Sequence, residues 1–185
     1  MAVTQQGLSG VLVLTGMPGS GKSTISRMVA DRLPRSARIS GDEVRTMIRS
    51  GRVRFDAPDE TEAERQGMLG LDNLCALANN FASADFTPVL DDVVPDQETL
   101  DILIARLTPR PVLLVVLAPT YEICVHRNET RPDIDQVRYD FRENYDLMRR
   151  DIGERGWWLD SSDQEPADTV ETVLTWAQER AVVAP

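Results

Sequence analysis

Histidine and cysteine are scarce in this chain, with one His and two Cys in 185 residues. A lone histidine, His126, argues against a zinc site. Cys75 and Cys124 lie far apart within helical patterns, which fits buried reduced thiols better than a disulfide framework. No apolar run approaches the length that spans a bilayer. The first residues lack the basic and then apolar pattern of an export signal, so a cytoplasmic protein with no membrane partner is expected. Positive charge is also short: 20 Lys and Arg stand against 30 Asp and Glu, a formal net charge of −10. That balance repels polyanions at long range and disfavours a general nucleic-acid binder.

The 42% hydrophobic and 27% charged composition suits one globular domain over residues 1–185 with a single core. Strand-length apolar runs occur at Leu8–Leu14, Ala37–Ser40, Thr87–Leu90, Val112–Leu117 and Trp157–Leu159. Helical patterns separate them, which predicts an α/β fold with a five-stranded parallel sheet built from right-handed crossovers. Met68, Leu71, Cys75, Ala78 and Phe81 recur at helical spacing and predict a core-facing stripe. Gly51–Pro58 and Pro132–Gln136 read as mobile loops, and the residues after about Arg180 are expected to fray.

Open parallel sheets gather ligands at the carboxyl ends of their strands. After the first strand stands Gly16-Met17-Pro18-Gly19-Ser20-Gly21-Lys22-Ser23, a P-loop leading into a helical pattern. Such a turn aims backbone N–H groups and the helix dipole at a polyphosphate. Gly16, Gly19, Ser20, Gly21, Lys22, Ser23 and Thr24 are therefore candidate nucleotide contacts. Lys22 is expected to reach the β- and γ-phosphates, and Ser23 to hold Mg²⁺.

Acids follow three further strands, the second, the third and the last. Ser40 and Glu43 have capping-box spacing, which puts Asp42 in the first turn of a helix running toward Ile48. Asp42 either complements the helix dipole or accepts a proton from an acceptor hydroxyl, and function is the preferred reading. Arg45 shares its face and could position the acceptor or neutralise phosphoryl charge. The run Arg45, Arg49, Arg52 and Arg54 reads first as a solvated face and second as an acceptor contact. Asp91 and Asp92 end the third strand, where either could order Mg²⁺ or bind the acceptor; the strand register decides between them.

Farther on, Arg127 and Arg131 are four residues apart, hence on one helical face and roughly 6 Å apart along the axis. Two guanidinium groups so placed could grip one triphosphate. With Pro132 ending the helix, residues 127–140 read as a small helical lid; surface ion pairs with Glu129 or Asp133 are the alternative. Asp160-Ser161-Ser162-Asp163-Gln164 follows the last strand as a weak adenine-loop candidate, or as a plain connection.

The P-loop, Asp42-x-x-Arg45 and Arg127-Asn128-x-x-Arg131 together resemble the kinase domains of polynucleotide 5′-hydroxyl kinases. They also resemble the wider set of small P-loop phosphotransferases that includes chloramphenicol phosphotransferase, whose Asp-Asp-Val is similar to Asp91-Asp92-Val93, and zeta-toxin-like kinases. The resemblance implies the P-loop NTPase/kinase fold, ATP and Mg²⁺ as cofactors, Lys22 on the donor phosphates, Asp42 as base, Arg45 beside it, and Arg127 and Arg131 on the lid. It leads to an ATP-dependent kinase acting on a hydroxyl of a small-molecule acceptor. The alternatives are a polynucleotide 5′-hydroxyl kinase, set back by the acidic charge, and a non-kinase ATP-binding regulatory module, which needs no acceptor-side base. A GTPase is disfavoured because no Asn-Lys-x-Asp occurs in the chain.

Overall fold

Val11–Thr15 is buried at all of its positions, as expected of a strand covered on both faces. This strand, β1, is the centre of the sheet in the computed structural model, which describes residues 7–55, 57–133 and 136–185. In chain order it is followed by α1 (Lys22–Arg32), β2 (Ser36–Ser40), α2 (Gly41–Thr46), α3 (Glu60–Ser83), β3 (Thr87–Asp91) and α4 (Gln97–Arg106). Next come β4 (Val112–Leu117), α5 (Tyr121–Glu129), α6 (Arg142–Ile152), β5 (Trp157–Leu159), α7 (Pro166–Arg180) and β6 (Val182–Ala184). Five strands are parallel in the order β2-β3-β1-β4-β5, with α helices on both sides.

Strand alternation divides the core into two layers. Leu12, Leu14, Val89, Leu113 and Val115 pack with Ile25 and Val29 of α1 and Val170 and Val173 of α7. Val11, Val13, Ile39, Leu90 and Leu114 face Leu71 and Leu74 of α3, Leu103 of α4 and Met148 of α6. The α3 stripe is shifted from the expected one: Leu71, Leu74, Cys75 and Ala78 are buried, whereas Phe81 is exposed. Phe81 lies in the last turn, where it packs edge-on against Phe86 instead of the sheet.

The chain does not fray after Arg180. Ala181 is buried, its carbonyl accepts from Leu114 N at 2.7 Å, and β6 pairs antiparallel with β4 as a sixth strand. The short β5 pairs with Val115–Leu117 alone, leaving the start of β4 with unpaired backbone groups that β6 satisfies. Of the two loops expected to be mobile, the first is tied to α3, because Gln66 donates to Gly51 O and accepts from Val53 N at 2.8 Å each. Asp56 in that loop, and Ile134 and Asp135 in the second, lie outside the described residues. Among those described, no helix is long and apolar enough to cross a membrane.

Candidate phosphate and acceptor site

The P-loop needs its glycines for backbone reasons. Gly16, Gly19 and Gly21 have φ of 146°, 80° and 97°, values that L side chains resist. A Cβ on Gly16 would lie 2.4 Å from Leu117 O, and one on Gly19 2.0 Å from Cys124 O. The loop is thus pressed between the end of β4 and α5. Gly21 serves as N-cap of α1 with no side-chain cap, and no acid stands in the first turn. The N–H groups and positive dipole end of α1 consequently face the loop without neutralisation.

The residues fit a nucleotide phosphate. Ser20 Oγ is buried without a hydrogen-bond partner among the described residues, which is costly unless a ligand or solvent completes it. Lys22 Nζ folds back to donate to Met17 O at 3.1 Å, and Ser23 and Thr24 are exposed at the start of α1. Among the described residues there is no group of three or more His, Cys, Asp or Glu side chains able to hold a metal. A Mg²⁺ bound mainly by phosphate and water, with Ser23 as its protein hydroxyl, suits so sparse a donor set.

The register answers which way each third-strand acid points. Asp91 lies on the α1 face with Val89, and Asp92 on the α3 face with Leu90. Asp91 Oδ2 accepts from Ser26 Oγ of α1 at 3.1 Å and from Arg38 Nη2 of β2 at 2.7 Å. Asp92 Oδ1 and Oδ2 accept from Arg45 Nη2 at 2.8 and 2.9 Å, and Val93 N donates to Oδ1. Asp92 therefore anchors Arg45, and Asp91 is held between α1 and β2 by Ser26 and Arg38. Gly41 makes room for this anchor, since a Cβ there would lie 2.4 Å from the Asp92 carboxylate.

Ser40 caps α2 by accepting from Glu43 N at 3.5 Å. The reciprocal half of the capping box does not form; Glu43 instead takes Arg38 Nη1 at 2.9 Å. Asp42 projects from the first turn with its side chain 94% exposed, 3.6 Å from Arg45. Arg45 is thus shared between a buried carboxylate and an exposed one, beside Gly70 of α3. Farther along, Arg49 and Arg52 are exposed, and the exposed Phe55 meets Tyr139 edge-on with centroids 5.2 Å apart.

The arginines 127 and 131 do not share a helical face. α5 ends at Glu129 with Thr130 as C-cap, so Arg127 is helical and Arg131 lies beyond. Pro132 disfavours helical geometry at the preceding residue, while side chains reroute the chain. Asn128 exchanges two hydrogen bonds with the Val137 backbone, and Gln136 donates to the carbonyls of Glu129 and Arg131. Arg127 donates to Ser161 O at 3.0 Å, bringing it to the loop after β5. The charge of Arg131 instead acts on Lys22.

Burial lowers the Lys22 pKa from its ordinary value; the charges of Asp91, Asp42 and Asp92 oppose the shift, and Arg131 reinforces it. Burial also raises the Asp92 carboxyl, against the stabilising charge and hydrogen bonds of Arg45. For Arg38, burial works against the charge and is outweighed by hydrogen bonds to Glu43 and Asp91. Sequence reasoning missed Arg38 and Ser26. The available signal was a charged residue on the α1 face of Ser36-Ala37-Arg38-Ile39-Ser40, where an apolar group would ordinarily stand.

Both cysteines are buried and free, and desolvation pushes each thiol up to about 11. In the folded protein at about pH 8, both should alkylate far more slowly than in denaturant, because the thiolate is the reactive form. Peptide mass spectrometry after brief iodoacetamide treatment reads this directly. Rapid labelling of Cys124 would show that the contact between α5 and the P-loop opens readily.

Strand order, glycine loop and flanking helices define a P-loop protein of kinase-like fold. The chain belongs to the AAA domain family, which matches residues 11–150. Its fold is similar to that of an unliganded sugar kinase from Janibacter sp. HTCC2649, with a TM-score of 0.69, 20% identity, and coverage of 91% of this chain and 94% of that one. It is also similar to the tunicamycin resistance protein of Deinococcus radiodurans, with a TM-score of 0.64, 17% identity, and coverage of 96% and 99%. Shikimate kinase from Aquifex aeolicus gives a TM-score of 0.59 at 18% identity, covering 89% of this chain and 94% of that one. No curated protein matches the chain.

Proposed function

We propose that this protein is an ATP- and Mg²⁺-dependent kinase, a single P-loop domain that transfers the γ-phosphoryl group to a hydroxyl of a small molecule. The observation that carries this reading is an exposed carboxylate, Asp42, in the first turn of the helix that follows β2, 3.6 Å from an arginine that the buried Asp92 holds in place. Nucleotide binding alone requires no such acid, whereas transfer to an alcohol requires a proton acceptor.

In this reading the P-loop amides and Lys22 hold the donor phosphates, and Ser23 with Asp91 would hold the metal and its waters. Bound Mg²⁺ supplies charge neutralisation on the phosphate oxygens. Asp42 orients the acceptor hydroxyl and takes its proton. Arg45, held by Asp92, presents fixed positive charge beside that carboxylate. Arg131 adds charge near Lys22, and Arg127 borders the base side through Ser161. Residues 127–140 act as the lid. The Phe55–Tyr139 contact joins the segment after α2 to this lid, which favours a small enclosed acceptor over a polymer. The acidic net charge supports the same choice.

The test is transfer from γ-labelled ATP to a panel of sugars, nucleosides, amino alcohols, antibiotics and 5′-hydroxyl oligonucleotides, with Lys22→Ala as control. A labelled small molecule is the expected product. Oligonucleotide labelling with steep salt dependence would select the polynucleotide kinase instead. ATP binding with no Lys22-dependent transfer to any member would favour a regulatory module.

A further inference from the structure

We propose that Arg38 is a positioning residue that sets Asp91 for metal ordering and ties it to the helix bearing Asp42; this rests on the phosphotransferase reading above. Arg38 extends from β2 on the face covered by α1, its side chain only 16% exposed. Its planar fork reaches three elements at once. Nε donates to Ser26 Oγ of α1 at 2.9 Å, Nη2 to Asp91 Oδ2 of β3 at 2.7 Å, and Nη1 to Glu43 Oε1 of α2 at 2.9 Å.

These contacts determine how Asp91 can act. Ser26 and Arg38 both lie within hydrogen-bond reach of Oδ2, which locks the carboxylate in one rotamer and would leave the other oxygen for the metal's waters. Ser26 Oγ also lies 3.3 Å from the carbonyl of Ser23, so its single proton has Asp91 Oδ2 and that carbonyl as alternative acceptors, while its lone pair takes Arg38 Nε. Without Arg38, the buried Asp91 would lose the guanidinium that meets it at 2.7 Å and holds its rotamer. The third arm fixes Glu43, the neighbour of Asp42, so the metal side and the acceptor side share one strut. Lysine carries the charge but cannot span three partners.

The test compares the wild type, Arg38→Gln and Arg38→Lys by calorimetric ATP binding in EDTA and across a Mg²⁺ titration, with circular dichroism to verify folding. Arg38→Gln should raise the Mg²⁺ concentration for half-maximal tightening at least about tenfold, the usual scale for loss of an outer partner. Its metal-free affinity should fall by a smaller factor, and Arg38→Lys should lie between. A folded Arg38→Gln with the wild-type Mg²⁺ requirement overturns the proposal, as does equal loss with and without metal, which marks a purely structural role. Should Arg38→Gln not fold, Arg38→Lys decides, and an unaltered Mg²⁺ requirement there overturns it. Wild-type binding indifferent to Mg²⁺ sinks the phosphotransferase reading and this one with it; normal wild-type behaviour with unaltered variants sinks this one alone.

Discussion

Asp42→Asn should keep ATP affinity within about twofold while lowering phosphoryl transfer by at least about a hundredfold, the scale of a lost general base. The contrast follows from where the residue sits. Asp42 is exposed and makes a 3.6 Å contact with Arg45, so no packing depends on it. Asparagine keeps nearly the same shape in the first turn of α2, and loss of the charge there costs about 0.3–1 kcal/mol of dipole interaction at most. What the amide cannot do is accept a proton. Steady-state rates with the best acceptor from the panel, beside calorimetric ATP binding, separate the two effects. Equal rates for variant and wild type would remove Asp42 from its role. A parallel loss of ATP affinity would instead make it part of the donor site.

Gly19→Ala should lose stability by roughly 3 kcal/mol or more and abolish measurable nucleotide binding, from backbone strain and overpacking together. The added methyl is placed at φ 80° and would stand 2.0 Å from a backbone carbonyl of α5. A flexible side chain could swing away, but Cys124 O cannot move without displacing the helix. Relief therefore means moving the loop out of its seat, and its N–H groups lose their convergence on the phosphate. Gly67→Ala is the matched control: it lies within α3 with open space around it, and should stabilise by about 0.5–1 kcal/mol through helix propensity. Chemical denaturation of both variants measures the difference. A Gly19→Ala protein as stable as the wild type would mean that the loop is not held against α5.

The resemblance to small P-loop kinases implied the fold, and its local parts were legible because they depend on near neighbours in sequence. Apolar runs marked the parallel strands, and Ser40 at N-cap spacing marked the start of α2. The same locality explains the failures. Arg127 and Arg131 have helical spacing, yet Asn128 and Gln136 bind the loop beyond and end α5 between them. Glu43 has capping-box spacing, yet Arg38 offers it a charged partner from another element. The terminal residues showed no local reason for order, and are ordered by unpaired groups on β4.

The sequence by itself determined that a glycine loop with Lys22 and Ser23 follows a buried strand, because positive φ and a phosphate-binding turn depend on consecutive residues. It also put an acid, Asp42, at the next strand end but one helix turn from Arg45. Only the tertiary structure decided how the neighbouring acids divide their work. Asp91 and Asp92 are chemically identical and adjacent, and pleating alone sends one to Arg38 and Ser26 and the other to Arg45. Those partners come from three other elements, and their charges meet only when the strands are in register.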